Sequence, residues 1–427
     1  MKRHPWLLFA LLLACSGPRH TASLHFTVLE HVQLIDVEGR ALLPDQTVVL
    51  ADSLIGFVGR EWRPPAGARL KRIDGQGGYL LPGLWDMHAH LCWESHNDSL
   101  LFPPFLANGI TSVRDMGGEL SILRAFRAAS MPHPTLLGAG PMLDGNPPVM
   151  HDFSIPLDAH SPVFRLLDSL LEHGADFFKT YSLIREPELA QIAAYARQKK
   201  RFFCGHLSEY VEPEQAIALG QKSIEHLNRL DDIWQHQPQR MEKLAAQMHR
   251  AGTWLCPTLV VYHHKMLLRD SSIIRPDYEQ YIHPVLATEW ARSREATPAR
   301  SDTAYWQQKA LAFERALALV YELHRQGVGI LAGSDFGGMP FVYPGIGLLE
   351  ELLLLRQAGL VEMEVLRSAT LNPATFFGLQ GRMGSVKEGK LAALLLLRQN
   401  PLEDIRNLSS TEMVFVKGKL VYHDTNP

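Results

Sequence analysis

Two histidines one residue apart, in Asp86-Met87-His88-Ala89-His90, are the first residues whose spacing suggests metal chemistry. Side chains i and i+2 of a strand share a face, so at a strand end both imidazoles reach one point. Lys179, His206, His226 and Asp335 each end a short apolar run of the same kind. Imidazole and carboxylate are the donors expected for Zn²⁺ and related divalent ions, and a metal held this way makes water nucleophilic at neutral pH. Each residue has a plainer alternative. His206 or His226 suits a hydrogen-bonded core, Lys179 an ion pair, and Asp335 a helix cap after Gly333-Ser334. Five such accidents at successive strand ends are improbable together.

Placing those residues at one point requires parallel βα units. Short strands ending near His90, Met116, Gly140, Tyr181, Leu207, Leu227, Leu259 and Asp335 alternate with helical patterns, clearest at 304–326 and 347–358. Eight strands close a barrel whose active site lies at their C-terminal ends. The expected fold class is therefore α/β: a (β/α)8 TIM-type barrel over 82–381, with a small β-sandwich domain from both chain ends, 26–81 and 382–427. A polar stretch at about 260–303 follows the seventh strand and suits either a lid or a surface excursion.

The motifs resemble those of the amidohydrolase superfamily over nearly all of the chain after its leader. Pro82-Gly83-Leu84-Trp85-Asp86-Met87-His88-Ala89-His90 is similar to the family's first-strand signature, Ser223-Ile224-Glu225-His226-Leu227 to its sixth and Ala332-Gly333-Ser334-Asp335 to its eighth. Leu371-Asn372-Pro373-Ala374, leading to Gly384-Ser385-Val386-Lys387-Glu388-Gly389-Lys390, resembles the return from barrel to β domain. The branch most resembled is that of imidazolonepropionase- and prolidase-related hydrolases. The resemblance implies two divalent ions, with Zn²⁺ expected. His88, His90 and Asp335 would hold one, and His206 and His226 the other. Lys179 would bridge them as a carbamate formed with CO₂. It also implies a metal-bridging hydroxide, with Asp335 as catalytic proton shuttle to the leaving amine.

The expected activity is cleavage of carbon–nitrogen amide bonds in small substrates such as dipeptides, N-acyl amino acids or cyclic amides. A mononuclear deaminase or imidazolonepropionase-like ring hydrolase is the rival, because His206-Leu207-Ser208-Glu209 has the His-X-X-Glu spacing that would make Glu209 a proton donor. A non-catalytic lipid-anchored binding protein is the third reading. Two features depart from the family. Ala392-Ala393-Leu394 replaces the usual Ala-Asp-Leu, and the third-strand loop, Gly140 to His151, lacks the Gly-Gly-His of dipeptide-cleaving relatives, with His151 as a candidate replacement. Tyr181 and Tyr262 are further substrate-contact candidates. Arg114-Asp115 reads as a structural ion pair.

Met1-Lys2-Arg3-His4 precedes an apolar run from Trp6 to Ala14, far short of the ~20 residues a membrane span needs. Leu12-Leu13-Ala14-Cys15-Ser16 resembles a bacterial lipobox. The expectations are a signal peptide over 1–14, lipidation of Cys15, an anchored linker over 15–25, and an outer-membrane position facing the periplasm. Within 427 residues, 46% hydrophobic and 20% charged, the net charge is −3; losing Lys2 and Arg3 with the leader takes it to −5. This composition argues for a globular protein with small-molecule substrates and against a nucleic-acid binder. Four cysteines exclude a dense disulfide framework, and free buried thiols are expected at Cys92, Cys204 and Cys256. Nothing in the sequence marks an oligomeric state.

Overall fold

A computed structural model describes residues 25–93, 98–299 and 302–425. Cys15 and the leader lie outside the described residues.

Both chain ends contribute to one sheet. The N-terminal part supplies β1 (His25–Asp36), β2 (Ala41–Ala51), β3 (Leu54–Gly59), β4 (Arg69–Asp74) and β5 (Tyr79–Pro82). Next come β6 (Leu84–Ala89), β7 (Ile110–Asp115), β8 (Thr135–Gly138), β9 (Met142–Gly145), β10 (Ser154–Leu157), β11 (Phe178–Thr180), β12 (Phe203–Gly205), β13 (Ser223–Glu225) and β14 (Trp254–Cys256). The C-terminal part adds β15 (Leu394–Leu397), β16 (Thr411–Val416) and β17 (Lys419–His423). The mixed sheet runs β17-β16-β15-β5-β1-β2-β3, with β4 also on β1. Alternate residues, including Leu29, Val48, Leu50, Leu80, Leu394, Leu396 and Phe415, bury one apolar cluster. The sheet therefore buries a core of its own.

The middle of the chain is α/β, with parallel sheets ordered β6-β7-β8 and β10-β9-β11-β12-β13-β14. Their strands are buried on both faces, as in the uniformly buried Leu84–Ala89 and Ile110–Asp115, because helices cover the outside. The segment from Gly329 to Phe336 joins the sheets. Leu331 donates to the carbonyl of Leu255 on β14 (2.8 Å), while Met87 and His90 donate to Ala332 and Phe336 (2.9 and 2.8 Å). On the opposite side, Asp176 just before β11 donates to Gly138 on β8 (2.9 Å).

Three local expectations need correction. The seventh strand ends at Cys256, three residues before Leu259, where a helix (Leu259–Leu267) already begins. The eighth segment pairs through isolated bridges, since Asp335 turns to a positive φ before a regular ladder can form. The loop after β8 holds the short parallel pair β9 and β10, which lacks an alternating pattern long enough to read. Within 260–303 the described residues are largely helical, including Pro284–Ala296. Gly205 is required where β11 meets β12. Its φ is +143°, and a Cβ there would lie 1.9 Å from the carbonyl oxygen of Thr180. That close approach brings the strand ends of Lys179 and His206 together.

Candidate active site

Strand order brings His88, His90, Lys179, His206, His226 and Asp335 to one end of the parallel sheets, and all six are buried. The His88 and His226 ring centres are 4.7 Å apart, as are those of His206 and His226. Asp335 Oδ1 lies 3.4 Å from both His88 Nε2 and His90 Nε2, and Lys179 Nζ is 3.3 Å from His88 Nε2.

The outer ring nitrogens fix this arrangement. Nδ1 of His88 meets Glu225 (2.9 Å), that of His90 the carbonyl of Gly117 (3.2 Å), that of His206 the Ser182 hydroxyl (3.0 Å) and that of His226 the Thr258 hydroxyl (2.6 Å). With Nδ1 engaged, each Nε2 is left for the centre, and His206 Nε2 has no protein partner although it is buried. An orphaned buried nitrogen aimed among imidazoles and a carboxylate fits a divalent cation, with outer partners setting ring orientation. His88, His90 and Asp335 alone offer three donor atoms within 4.8 Å of one another.

Glu225 also lies near His88 and Cys256, but its carboxylate is already engaged. Arg114 donates to both of its oxygens (2.9 and 2.8 Å), and Ser223 also hydrogen-bonds it. The expected Arg114–Asp115 ion pair does not form. Neighbours in a strand point to opposite faces, and Asp115 instead accepts from the backbone of Leu91 and Cys92 (2.7 and 3.0 Å). Asp86 accepts from the backbone of His88 and Ser334 (3.2 and 2.9 Å), tying the first signature to the eighth.

Burial, reinforced by nearby Lys179 and His226, holds His88 well below the usual histidine range. Burial and the same surroundings lower His206, and His226 falls to about 3. The rings are thus neutral and able to donate to metal. Burial lowers Lys179 as well, so its amine is a better nucleophile than an exposed lysine. Burial pushes the Asp335 carboxyl up, but its hydrogen bond with His90 and the electrostatics of the surrounding His226, His90 and Lys179 side chains outweigh it and leave the group below the usual carboxylate range. His226 and Asp335 have φ of +63° and +57°. Non-glycine residues held there cost about 1–3 kcal/mol, strain that aims both side chains inward.

Of the substrate-contact candidates, Tyr181 borders the metal-facing cavity and lies 4.0 Å from the His206 ring. Tyr262 supports the site from outside, its hydroxyl accepting from the backbone of Leu227 at 2.9 Å. His151 is corrected: its side chain is 89% exposed, and neighbouring Met150 and Phe153 face the site region instead. Glu209 is corrected too. It is exposed, its backbone N–H bonds to the carbonyl of Ser182 (2.8 Å), and it is not among the residues lining the metal-facing cavity. Cys92, Cys204 and Cys256 are free and buried. Sequence reasoning missed Ser182, Thr258, Trp93 and the partnership of Glu225 with Arg114; only the Ser223-Ile224-Glu225-His226 run carried any sign of the last.

Comparison with known proteins gives the same picture. A model of the amidohydrolase family matches residues 79–421. The ochratoxinase of Aspergillus niger is 22% identical over 468 residues, covering 93% of this chain and 85% of that protein. An imidazolonepropionase of Pseudomonas paraeruginosa is 24% identical over 375 residues, covering 82% and 87%. Among solved structures, a prolidase complexed with N-methylphosphonate-L-proline superposes with TM-score 0.73 at 22% identity, covering 93% of this chain and all of that one. A Xaa-Pro dipeptidase with bound methionine superposes at 0.69, with 19% identity and 93% and 100% coverage. With most of its length matched to the family model and its metal-binding residues gathered at the strand ends, this chain belongs to the amidohydrolase family, as a metal-binding hydrolase of carbon–nitrogen bonds.

Proposed function

We propose that the protein cleaves amide bonds of small substrates, dipeptides or N-acyl amino acids in particular, using a binuclear metal centre. The observation that carries this reading is Lys179. It is buried among imidazoles with Nζ 3.3 Å from His88 Nε2 and forms no ion pair among the described residues. A free ammonium there would oppose cation binding, whereas the uncharged amine can add to CO₂, release a proton and become an anionic carbamate.

In this reading His88, His90 and Asp335 would hold one divalent ion and His206 and His226 the other, with Lys179, as a carbamate, supplying an anionic ligand; imidazole and carboxylate donors favour Zn²⁺. Bound metal supplies an acidified water and polarises the substrate carbonyl. Asp335 accepts the proton that water gives up as its oxygen bonds to the carbonyl carbon. The same carboxyl then protonates the amide nitrogen as the C–N bond breaks, giving a carboxylate and an amine. Glu225, clamped by Arg114, keeps Nδ1 of His88 engaged and its Nε2 directed inward.

The test is a screen of purified, metal-loaded protein against dipeptides, N-acyl amino acids, lactams and amino-purines or -pyrimidines. Turnover of amides alone supports the reading, and turnover of amino-purines or -pyrimidines alone would replace it with the deaminase reading. Glu209→Gln is expected to cost less than ~10-fold in kcat/KM, because an exposed loop acid is not needed to protonate the amine. A loss as large as that at Asp335, measured by steady-state kinetics, would instead make Glu209 the proton donor of a ring hydrolase.

The closed (β/α)8 barrel over 82–381, with a β domain from 26–81 and 382–427, belongs to this proposal, supported by the α/β sheets and the related folds. So does anchorage through lipidated Cys15 in an outer membrane facing the periplasm, supported by the lipobox-like run. Mass spectrometry of the membrane fraction is expected to find an acylated N-terminal Cys15. A free N-terminus elsewhere on a soluble protein would remove the anchor.

A further inference from the structure

A second cavity opens beside the metal-binding cluster. It encloses about 250 Å³ and shares His90, Trp93 and Met150 with the smaller space, about 80 Å³, that Lys179, His206, His226 and Asp335 border. Together they reach the lower end, ~300 Å³, of small-molecule sites. Leu101, Phe153, Leu286 and Phe336 complete its apolar walls. The ring of His90 stacks on Trp93 with centres 4.4 Å apart, and Trp93 stacks on Phe153 at 4.4 Å. A group entering this cavity therefore lies against the same aromatic stack that backs a metal-binding histidine.

The charges bordering the two spaces differ. Asp152 and Glu289 are the acids on the apolar cavity, so a carboxylate is repelled there, while the apolar walls favour an apolar group. Leu286 and Glu289 lie three residues apart on the Pro284–Ala296 helix, hence on one face, and this helix belongs to the long insertion after β14. The Leu259–Leu267 helix is fixed to His226 through Thr258 and to Leu227 through Tyr262. It carries Lys265, whose Nζ lies 5.5 Å from the Tyr262 ring centre, close enough to the cluster to interact electrostatically with His206, His226 and Asp335, and which makes no ion pair among the described residues.

We propose that the substrate is an N-acyl amino acid, dipeptides included, whose acyl half carries a bulky uncharged apolar group held among Trp93, Phe153 and Leu286, with its carboxylate turned towards Lys265. This rests on the amide-hydrolase reading and deepens it. The insertion forms a wall of the acyl pocket, so it sets which acyl groups are accepted.

The experiment has a binding arm and a kinetic arm, both on the full-length metal-loaded protein. Calorimetry with 3-phenylpropan-1-ol, neutral and not hydrolysable, is expected to show binding that Leu286→Trp weakens at least ~10-fold by filling the pocket. No binding, or equal binding by wild type, Leu286→Trp and Phe153→Ala, overturns the pocket assignment. Across N-acylalanines from acetyl to hexanoyl, kcat/KM is expected to rise roughly threefold to fourfold per methylene. A flat series with acetylalanine still cleaved removes the acyl pocket and leaves the amide hydrolase standing. If no amide is cleaved at all, the amide-hydrolase reading falls and the substrate assignment with it. Lys265→Met is expected to raise KM for hexanoylalanine about 10-fold, with kcat within ~3-fold. An equal rise for hexanoylalaninamide, which has no carboxylate, would overturn the proposed orientation.

Discussion

Asp335→Asn is expected to lower kcat by at least ~10²-fold while most of the bound metal remains. The carboxylate lies 3.4 Å from Nε2 of both His88 and His90, so it is close enough to share their metal and to exchange a proton with water beside it. Asparagine keeps the size and one donor oxygen but cannot accept the proton. Asp335 is held at a positive φ that asparagine tolerates as well as aspartate does, so the variant should leave the backbone in place. Metal analysis alongside steady-state kinetics separates the two effects. Loss of metal in parallel with rate would make Asp335 chiefly a ligand, and a rate within ~10-fold of wild type would remove it from proton transfer.

Lys179→Ala is expected to remove most of the bound metal and to reduce activity by at least ~10²-fold. The substitution deletes the residue proposed to bridge the His88–His90 and His206–His226 pairs, buried 3.3 Å from His88 Nε2. Short carboxylic acids at high concentration are expected to restore part of both quantities by occupying the vacated space. A variant with full metal and full rate would leave Lys179 as a buried amine without a role in the centre. Elemental analysis before and after addition of the acid decides between these outcomes.

The chemistry-bearing residues were legible because each stands at the end of a strand, where period-two geometry and strand order together fix direction. His88 and His90 needed only their spacing; His206, His226 and Asp335 needed the inference that successive strands are parallel. The residues that hold them were not legible. Glu225 and Arg114 meet across 111 positions of sequence, and Ser182 and Thr258 are ordinary hydroxyls until the fold sets each against a ring nitrogen. His151 was chosen for its residue type, but the short turn His151–Phe153 sends it to solvent and brings Phe153 inward. The pocket walls Trp93, Phe153 and Leu286 come from three separate connections, and apolar side chains carry no chemical sign of a site. The sheet from both chain ends was legible as strand pattern, but its continuity was not, because one strand, β5, joins the two halves.

That junction bears on synthesis. β5 pairs with β1 on one side and on the other with β15, about three hundred residues further along the chain. Until β15 to β17 arrive, the edge carrying Leu80 and Leu81 lacks its final neighbour, and the cluster completed by Leu394, Leu396 and Phe415 is open. At ~5–20 residues per second this exposure lasts on the order of tens of seconds. An unpaired apolar edge is a template for aggregation, so the nascent chain carries that hazard until β15 has emerged and paired.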